Sequence, residues 1–329
     1  MGDEKSWRVV CKNVSKMKNK DLPLLVADDL SPEQEQAARS AALLLCADKF
    51  ALKLSVGIKL TCVKNLLYYP DGPSPYKPLV DAYLKEQRTL VAATAKTLRA
   101  KAQGAFLNGD PTSVLITMAG HRNKYEMVVL GTSGKKGGKR LFLGSVAEEV
   151  IRNAKIPVMT VGPKAQRSAA QFLEQEIPTL IIATNLTGNS VPAEAYGLEL
   201  AQRLGARVVF FHSMRETLPA LLQVALAKPY SVSAIKEYTE QHKIPLLKKL
   251  ELKTKKALKS GLKADYHLDD DTVTASDSIL NEITRTKASL VVMGTHGHSF
   301  AAQFFFGRSL RDVILSAPVP IISVHSKRH

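Results

Sequence analysis

Two α/β domains in tandem, each a parallel sheet covered by helices on both faces, is the fold class this sequence predicts. Three observations lead to it. Short β-rich apolar runs alternate with helical segments along nearly the whole chain, the pattern of successive βαβ units. A glycine segment recurs: Gly131, Gly134, Gly144 and Pro157 reappear as Gly294, Gly297, Gly307 and Pro320, each displaced by 163 residues. The chain has 329 residues, 45% of them hydrophobic, which is enough for two ordinary cores.

Taken in order, residues 1–20 are basic and carry one apolar patch, Trp7 to Cys11, and read either as an arm or as an extra strand. The first strand is expected over Leu22 to Ala27 and ends in Asp28-Asp29. Ser31-Pro32-Glu33-Gln34 reads as a helix start, with serine as N-cap, proline at the first helical position and Gln34 closing a capping box. That helix should reach Phe50. A second strand from Gly57 to Val63 ends near Lys64-Asn65, and a loop rich in proline and glycine leads to a long helix over Leu79 to Ala102. A weaker strand over Ala105 to Leu107 stops at Asn108-Gly-Asp-Pro111. A helix from Thr112 to His121, a strand from Tyr125 to Leu130, the glycine turn, a helix to Asn153 and a strand from Pro157 to Val161 complete the first copy. Lys164 to Glu176 carries no strand signal and is the expected linker, which divides the chain into domains over residues 1–163 and 177–329.

The order then begins again. Strands are expected over Pro178 to Thr184 and Ala206 to His212, with a helix from Pro192 to Leu204 between them. A helical region interrupted at Pro229 and Pro245 precedes a strand near Leu262 to Leu268. A helix over Thr272 to Thr286, a strand over Ser289 to Met293, the second glycine turn, a helix to Ser316 and a strand over Pro320 to Val324 follow. Asp29 maps onto Asn185 at an offset of 156, so the second copy carries seven additional residues in its middle crossover, where insertions are tolerated.

Composition narrows the function classes. No apolar run is long enough to span a bilayer and no apolar signal region follows Met1, so a cytoplasmic location is expected. Cys11, Cys46 and Cys62 form no CxxC pair and supply neither a disulfide framework nor a zinc site. The net charge of +16 attracts phosphates, nucleic acid or anionic membranes. The lysines from Lys248 to Lys263, spaced by leucines, read first as a solvated amphipathic face.

The chemistry concentrates between Gly131 and Ser145. Glycines in a strand-to-helix turn let an anion approach free backbone N–H groups, and the helix that begins at Ser145 adds the positive end of its dipole. Lys135, Lys136, Lys139 and Arg140 lie within the turn and favour a polyphosphate. Ser145-x-x-Glu148 reads alternatively as a simple capping box. Gly138-Lys139 lacks the flanking residues of a P-loop. His296-Gly-His298 has no third ligand in view, and Phe304 to Phe306 reads as helix packing. No nucleophile–base or carboxylate pair has a spacing that demands catalysis, so any hydrolysis is expected to be slow.

These residues resemble the universal stress protein family in its tandem two-domain form. Gly131-x2-Gly134-x9-Gly144-Ser145 is similar to the family's nucleotide-binding pattern, and Val26-Ala-Asp-Asp-Leu-Ser31 is similar to its opening segment. Gly109-Asp-Pro111 resembles the segment after the third strand. In the second copy Ala183-Thr-Asn-Leu-Thr187, Val209-Phe-Phe-His212 and Gly294-Thr-His-Gly297 match the same landmarks. The resemblance covers residues 22–162 and 177–325. It implies flavodoxin-like, doubly wound domains, each with five parallel strands in the order 3-2-1-4-5. Ligands of such sheets bind at the switch point beyond the strand ends.

By the same resemblance the ligand is ATP or a related adenine nucleotide, with or without Mg²⁺, held in a stress-response and regulatory protein. Asp29 would accept from the adenine amino group and the Asn65 backbone would lie along the base. Gly131 would face the ribose, and Gly134, Gly144, Ser145 and Val146 would surround the phosphates. The edge strands Val158 to Val161 and Ile321 to Val324 would join the domains as an internal pseudo-dimer, or join two chains as a homodimer. In the second domain the corresponding positions are Asn185, Gly294, Gly297, Gly307 and Arg308. There Asn185 lacks the charge of Asp29, Arg308 stands in place of Ser145, His298 to Phe306 contains no lysine or arginine, and Asp269-Asp270-Asp271 would repel phosphate. A weakened or altered second site is therefore expected. The alternative reading is a scaffold without a required nucleotide, meeting nucleic acid or an acidic partner through its basic surface.

Overall fold

The computed structural model describes residues 22–66, 76–132, 143–214, 232–270, 274–295 and 307–325. The expectations for the N-terminal arm, Cys11, Gly134, the cations of the first glycine turn, Pro229, Asp271, Gly297, the His296-Gly-His298 pair and Phe304 to Phe306 lie outside these residues. The described chain forms two compact units, one holding residues up to 174 together with 318–323, the other holding 175–317 and the residues after 323.

In the first unit β1 (Leu24–Ala27), β2 (Ile58–Lys64), β3 (Ala102–Asn108), β4 (Val128–Gly131) and β5 (Val158–Val161) lie in the order β3-β2-β1-β4-β5, all parallel. This is the predicted order. The helices between them are α1 (Gln34–Leu54), α2 (Lys77–Thr97), α3 (Pro111–Ala119) and α4 (Ser145–Asn153). Because helices cover both faces, the central strands are apolar throughout rather than alternating: Leu24, Leu25, Val26, Val128, Val129 and Met159 are fully buried. Gly104 in β3 is a packing glycine, since a Cβ there would lie 2.6 Å from the Val91 carbonyl oxygen of α2.

The second unit begins after α5 (Pro163–Arg167). It contains β6 (Thr179–Ala183), α6 (Val191–Leu204), β7 (Arg207–Ser213), α7 (Val232–Lys259), β8 (Ala264–Asp269), α8 (Ala275–Thr286), β9 (Leu290–Gly294) and α9 (Arg308–Ser316). Its strands run parallel in the order β9-β6-β7-β8, which repeats β4-β1-β2-β3.

The expectation of two self-contained five-stranded parallel sheets is corrected by β10 (Ile321–Val324). Ile321, Ile322 and Ser323 pair antiparallel with Thr160, Met159 and Val158, adding a sixth strand beside β5 in the first unit. The Thr160 hydroxyl donates to the Ile321 carbonyl at 3.1 Å and the Ser323 hydroxyl donates to the Val158 carbonyl at 3.2 Å. At the end of β10 the Val324 carbonyl accepts from the Thr295 N–H of the second unit, to which Val324 itself belongs, at 3.2 Å. The physical reason lies in β5, a four-residue strand whose side chains are all buried and whose outer backbone edge needs partners.

Other boundaries move for local reasons. The helix start expected at Ser31 lies at Gln34, with Glu33 as N-cap, because the aspartates before it close a separate turn. β3 is seven residues long rather than three, and α2 ends at Thr97, because β2 pairs with β3 along its whole length and tertiary pairing overrides weak propensity. Pro245 sits inside α7 without ending it; both Pro245 and Gln241, whose carbonyl it leaves without a helical donor, are exposed to water. The expected linker contains α5. Burial pushes the Cys46 thiol up to about 12 and the Cys62 thiol to about 11, so neither is a nucleophile at neutral pH. Among the described residues no helix is long and apolar enough to cross a membrane.

The β5–β10 pairing has a direct test in amide hydrogen exchange. The amides of Val158 to Thr160 and Ile321 to Ser323 should exchange as slowly as those of β1. Exchange at the rate of a surface loop would contradict the pairing.

Candidate functional site

The carboxyl ends of β1, β2 and β4 and the N-termini of α3 and α4 open on a cavity of about 580 Å³. It lies where the strand order reverses around β1, the position at which an open parallel sheet leaves a crevice. Of the first-domain residues predicted from sequence, Asp29, Asn65, Gly131, Gly144, Ser145 and Val146 all line it. Gly134 lies outside the described residues.

The two consecutive aspartates have different surroundings. Asp28 points inward, and its Oδ1 accepts from the Leu30 N–H at 2.7 Å and the Ser40 hydroxyl at 2.6 Å. These bonds hold the tight turn in which Leu30 takes a φ of 47°. Burial pushes the Asp28 carboxyl above the ordinary carboxylate range, while the Ser40 and Leu30 hydrogen bonds oppose that shift. Asp29 is exposed, and its carboxylate has one long contact, from the Ser31 N–H at 3.4 Å. Asp28 builds the corner, and Asp29 presents an acceptor to the cavity.

On the opposite wall the Gly144 N–H donates to the Thr132 carbonyl at 2.8 Å, which brings the start of α4 against the end of β4. Gly144 is the N-cap, and the first bond within the helix runs from the Glu148 N–H to the Gly144 carbonyl at 2.9 Å. The N–H groups of Ser145, Val146 and Ala147 precede that bond and have no acceptor in the helix. The capping-box reading of Ser145 and Glu148 is not realised, because Ser145 is already helical and Glu148 accepts from Arg152 at 2.9 Å. Among the described residues Gly131 meets only the Gln166 amide nitrogen, 4.0 Å from where a Cβ would stand, so their packing does not require glycine there. The missing side chain instead leaves room for a ligand against the backbone.

Sequence reasoning missed part of the lining. Thr61, Lys64, Tyr83, Leu115 and Thr132 also face the cavity. Lys64 donates to the Gln87 side chain on α2 at 2.7 Å. Tyr83 carried no signal, because only the tertiary packing of α2 brings its ring to the end of β2. Thr61 lies four residues before Asn65 and Thr132 directly follows Gly131, and both read as ordinary β-formers.

The second unit places its corresponding residues differently. The Thr184 hydroxyl takes the role of Asp28, accepting from the Leu186 N–H at 3.0 Å in a turn with Leu186 at φ 58°. Its proton goes to Glu194, which is fully buried and pairs with Lys253 at 2.5 Å. The Asn185 amide oxygen accepts from the Thr187 N–H at 3.0 Å, the Thr187 hydroxyl at 2.7 Å and the Ser190 hydroxyl. The acceptor that Asp29 leaves available is consumed at Asn185. By strand register Phe211 stands where Thr61 stands, since Ala27 pairs with Thr61 and Ala183 with Phe211. Gly294 ends β9, Gly307 is the N-cap of α9 and Arg308 begins that helix, while Gly297 falls outside the described residues. Asp270 pairs with Lys243, which holds its carboxyl below the ordinary range, so its charge is already answered locally.

The model of a family described as the universal stress protein family matches residues 23–162 and 177–325. A universal stress protein of Methanocaldococcus jannaschii is 39% identical over 87 residues, 25% of this chain and 51% of the relative, so the match spans about half that protein's length. One from Mycobacterium bovis is 24% identical over 259 residues, 76% of this chain and 81% of the relative. The crystal structure of a universal stress protein from Archaeoglobus fulgidus DSM 4304 has a TM-score of 0.65 at 17% identity, covering 94% of this chain and all of that one, a likeness of fold.

The environment of Asp28 predicts a pH dependence. Its folded pKa lies above the unfolded value near 3.8, so ionisation opposes folding. Its favourable contribution is complete below that value and is lost as pH rises through the folded pKa. Asp28→Asn retains the acceptor for Leu30 and Ser40 without the buried charge. Its stability relative to the wild type should therefore increase from pH 4 to pH 7, measured by denaturant unfolding. A relative stability that falls over this interval would contradict the assigned environment.

Proposed function

The chain belongs to the universal stress protein family, and from that premise we propose that its first domain binds ATP or a related adenine nucleotide, with or without Mg²⁺, in the cavity beyond β1, β2 and β4. One observation carries the reading. A carboxylate with spare accepting capacity, a glycine that packing does not require and three helix-start N–H groups converge on one cavity. Asp29 supplies the acceptor for an exocyclic amine. Gly131 lets the sugar approach the backbone, and the start of α4 offers N–H groups and a positive dipole end to phosphate. We assign Asn65 to the base end of the cavity and Gly144, Ser145 and Val146 to the phosphate end, with Gly134 as part of the same turn.

The second-domain site in this reading is weakened or has another ligand. Asn185 is occupied by its own turn, and Phe211 occupies the place of Thr61. Gly294, Gly307 and Arg308 preserve the outline of a turn there without the acceptor that would orient a base. Occupancy of the first site then acts as a regulatory signal rather than as one half of a matched pair.

Titration calorimetry with ATP tests this directly. The full chain should bind one nucleotide. Gly144→Glu, which places a carboxylate at the phosphate end, should abolish the heat while thermal unfolding stays cooperative, and Gly307→Glu should leave the stoichiometry unchanged. Gly131→Ala should weaken binding without lowering the melting temperature. No heat from the wild type, or two equivalent sites, would refute the proposal.

A further inference from the structure

Among the described residues, buried hydroxyls are mostly paired. Thr160 donates to the Ile321 carbonyl, Thr254 to the Leu250 carbonyl, Ser323 to the Val158 carbonyl and Ser40 to Asp28. Thr61 and Thr132 are different. Their residues are 0% and 1% exposed, and neither hydroxyl has a hydrogen-bond partner among the described residues. Both line the same cavity.

Their backbones are already used. The Thr61 carbonyl accepts from the Asp28 N–H at 3.1 Å, and the Thr132 carbonyl accepts from the Gly144 N–H at 2.8 Å. Those bonds would survive a valine at either position, so they explain the strand ends and not the hydroxyls. Leaving a buried hydroxyl unpaired opposes folding, and the oxygens have essentially no surface that water can reach. Each residue lines the cavity, and a rotation about χ1, which exchanges hydroxyl and methyl, is the movement that would present its oxygen to a ligand there. The second unit supplies a comparison: Phe211 replaces Thr61, and the Thr295 hydroxyl, the counterpart of Thr132, lies 3.3 Å from His325 Nδ1. Thus the unpaired pair occurs where the cavity has an available acceptor, Asp29.

We infer that Thr61 and Thr132 are ligand-contacting residues, with the Thr61 hydroxyl hydrogen-bonding the heterocycle of the bound nucleotide and the Thr132 hydroxyl its sugar or first phosphate. The inference rests on the nucleotide reading above. Thr61 lies on β2 and Thr132 just past β4, on either side of β1. Two strand spacings and two residues of rise separate them by on the order of 10 Å, the reach of a nucleoside from its base to its 5′ end. Thr132 holds the N-cap of α4 and so belongs to the phosphate end.

The test is calorimetric titration of ATP into the full-length wild type, Thr61→Val, Thr132→Val and the matching serine variants, with a melting curve of each free protein. Each valine should weaken binding by about three- to tenfold, the loss of one neutral hydrogen bond, while each serine stays within about twofold of wild type. The free valine variants should melt at or above the wild-type temperature, because an unpaired hydroxyl has been removed. Wild-type affinity in both valine variants, with the wild type binding ATP, overturns this inference and leaves the nucleotide reading in place. Loss in only one variant overturns the assignment of the other residue. A wild type that does not bind ATP removes the nucleotide reading and this inference together.

Discussion

A side-chain oxygen that accepts the N–H two residues further on ends the central strand of each unit. Asp28 does this for Leu30 at 2.7 Å, and Thr184 does it for Leu186 at 3.0 Å. Both turns put a leucine at positive φ, 47° and 58°, a conformation that non-glycine residues rarely adopt and that these bonds hold in place. The corner determines where the next residue presents its side chain. In the first unit that residue is Asp29, exposed at the cavity. In the second it is Asn185, turned into the hydrogen bonds of the following 3₁₀ turn. The same corner, built with a carboxylate or with a hydroxyl, therefore leads to two different surroundings.

Hydrogen-bonding economy separates the two units more sharply than charge does. The first leaves an acceptor at Asp29, N–H groups at the start of α4, and hydroxyls at Thr61 and Thr132 without full partners. The corresponding groups of the second unit are largely internally satisfied or replaced. The Asn185 amide oxygen already accepts three hydrogen bonds, Thr184 is engaged with Glu194, and Phe211 substitutes aromatic packing against His267 for a hydroxyl. Incomplete hydrogen bonding around a cavity is what a ligand can complete, and buried groups of this kind rarely remain unpaired without a reason.

Much of this was legible in the sequence because it rests on spacing. The shared offset of four landmarks identified the repeat, alternation of strand and helix identified parallel sheets, and the family resemblance implied the order around β1. Asp29, Asn65, Gly131, Gly144, Ser145 and Val146 were grouped before any coordinates by the family resemblance, and each adjoins a strand end or a helix start. Features that depend on packing were not legible. The resemblance implied that the edges Val158 to Val161 and Ile321 to Val324 join, but the antiparallel register that makes β10 a sixth strand beside β5 pairs residues about 160 positions apart, and a four-residue apolar run does not fix it. Tyr83 reaches the cavity through the placement of α2, and the unpaired state of Thr61 and Thr132 is a property of their neighbours. The helix start at Gln34 was displaced because the sequence shows a capping pattern at Ser31 while the fold uses the preceding aspartates to turn the corner.

The claim on which the account depends is that the first cavity, and not its repeat, is completed by an adenine nucleotide. A crystal structure of the full chain grown with ATP would examine it most directly. The account predicts a base beside Asp29 and phosphates against the N–H groups of Ser145 and Val146, with no nucleotide at Asn185. ATP ordered in the second domain with the first cavity empty, or equal occupancy of both, would contradict it.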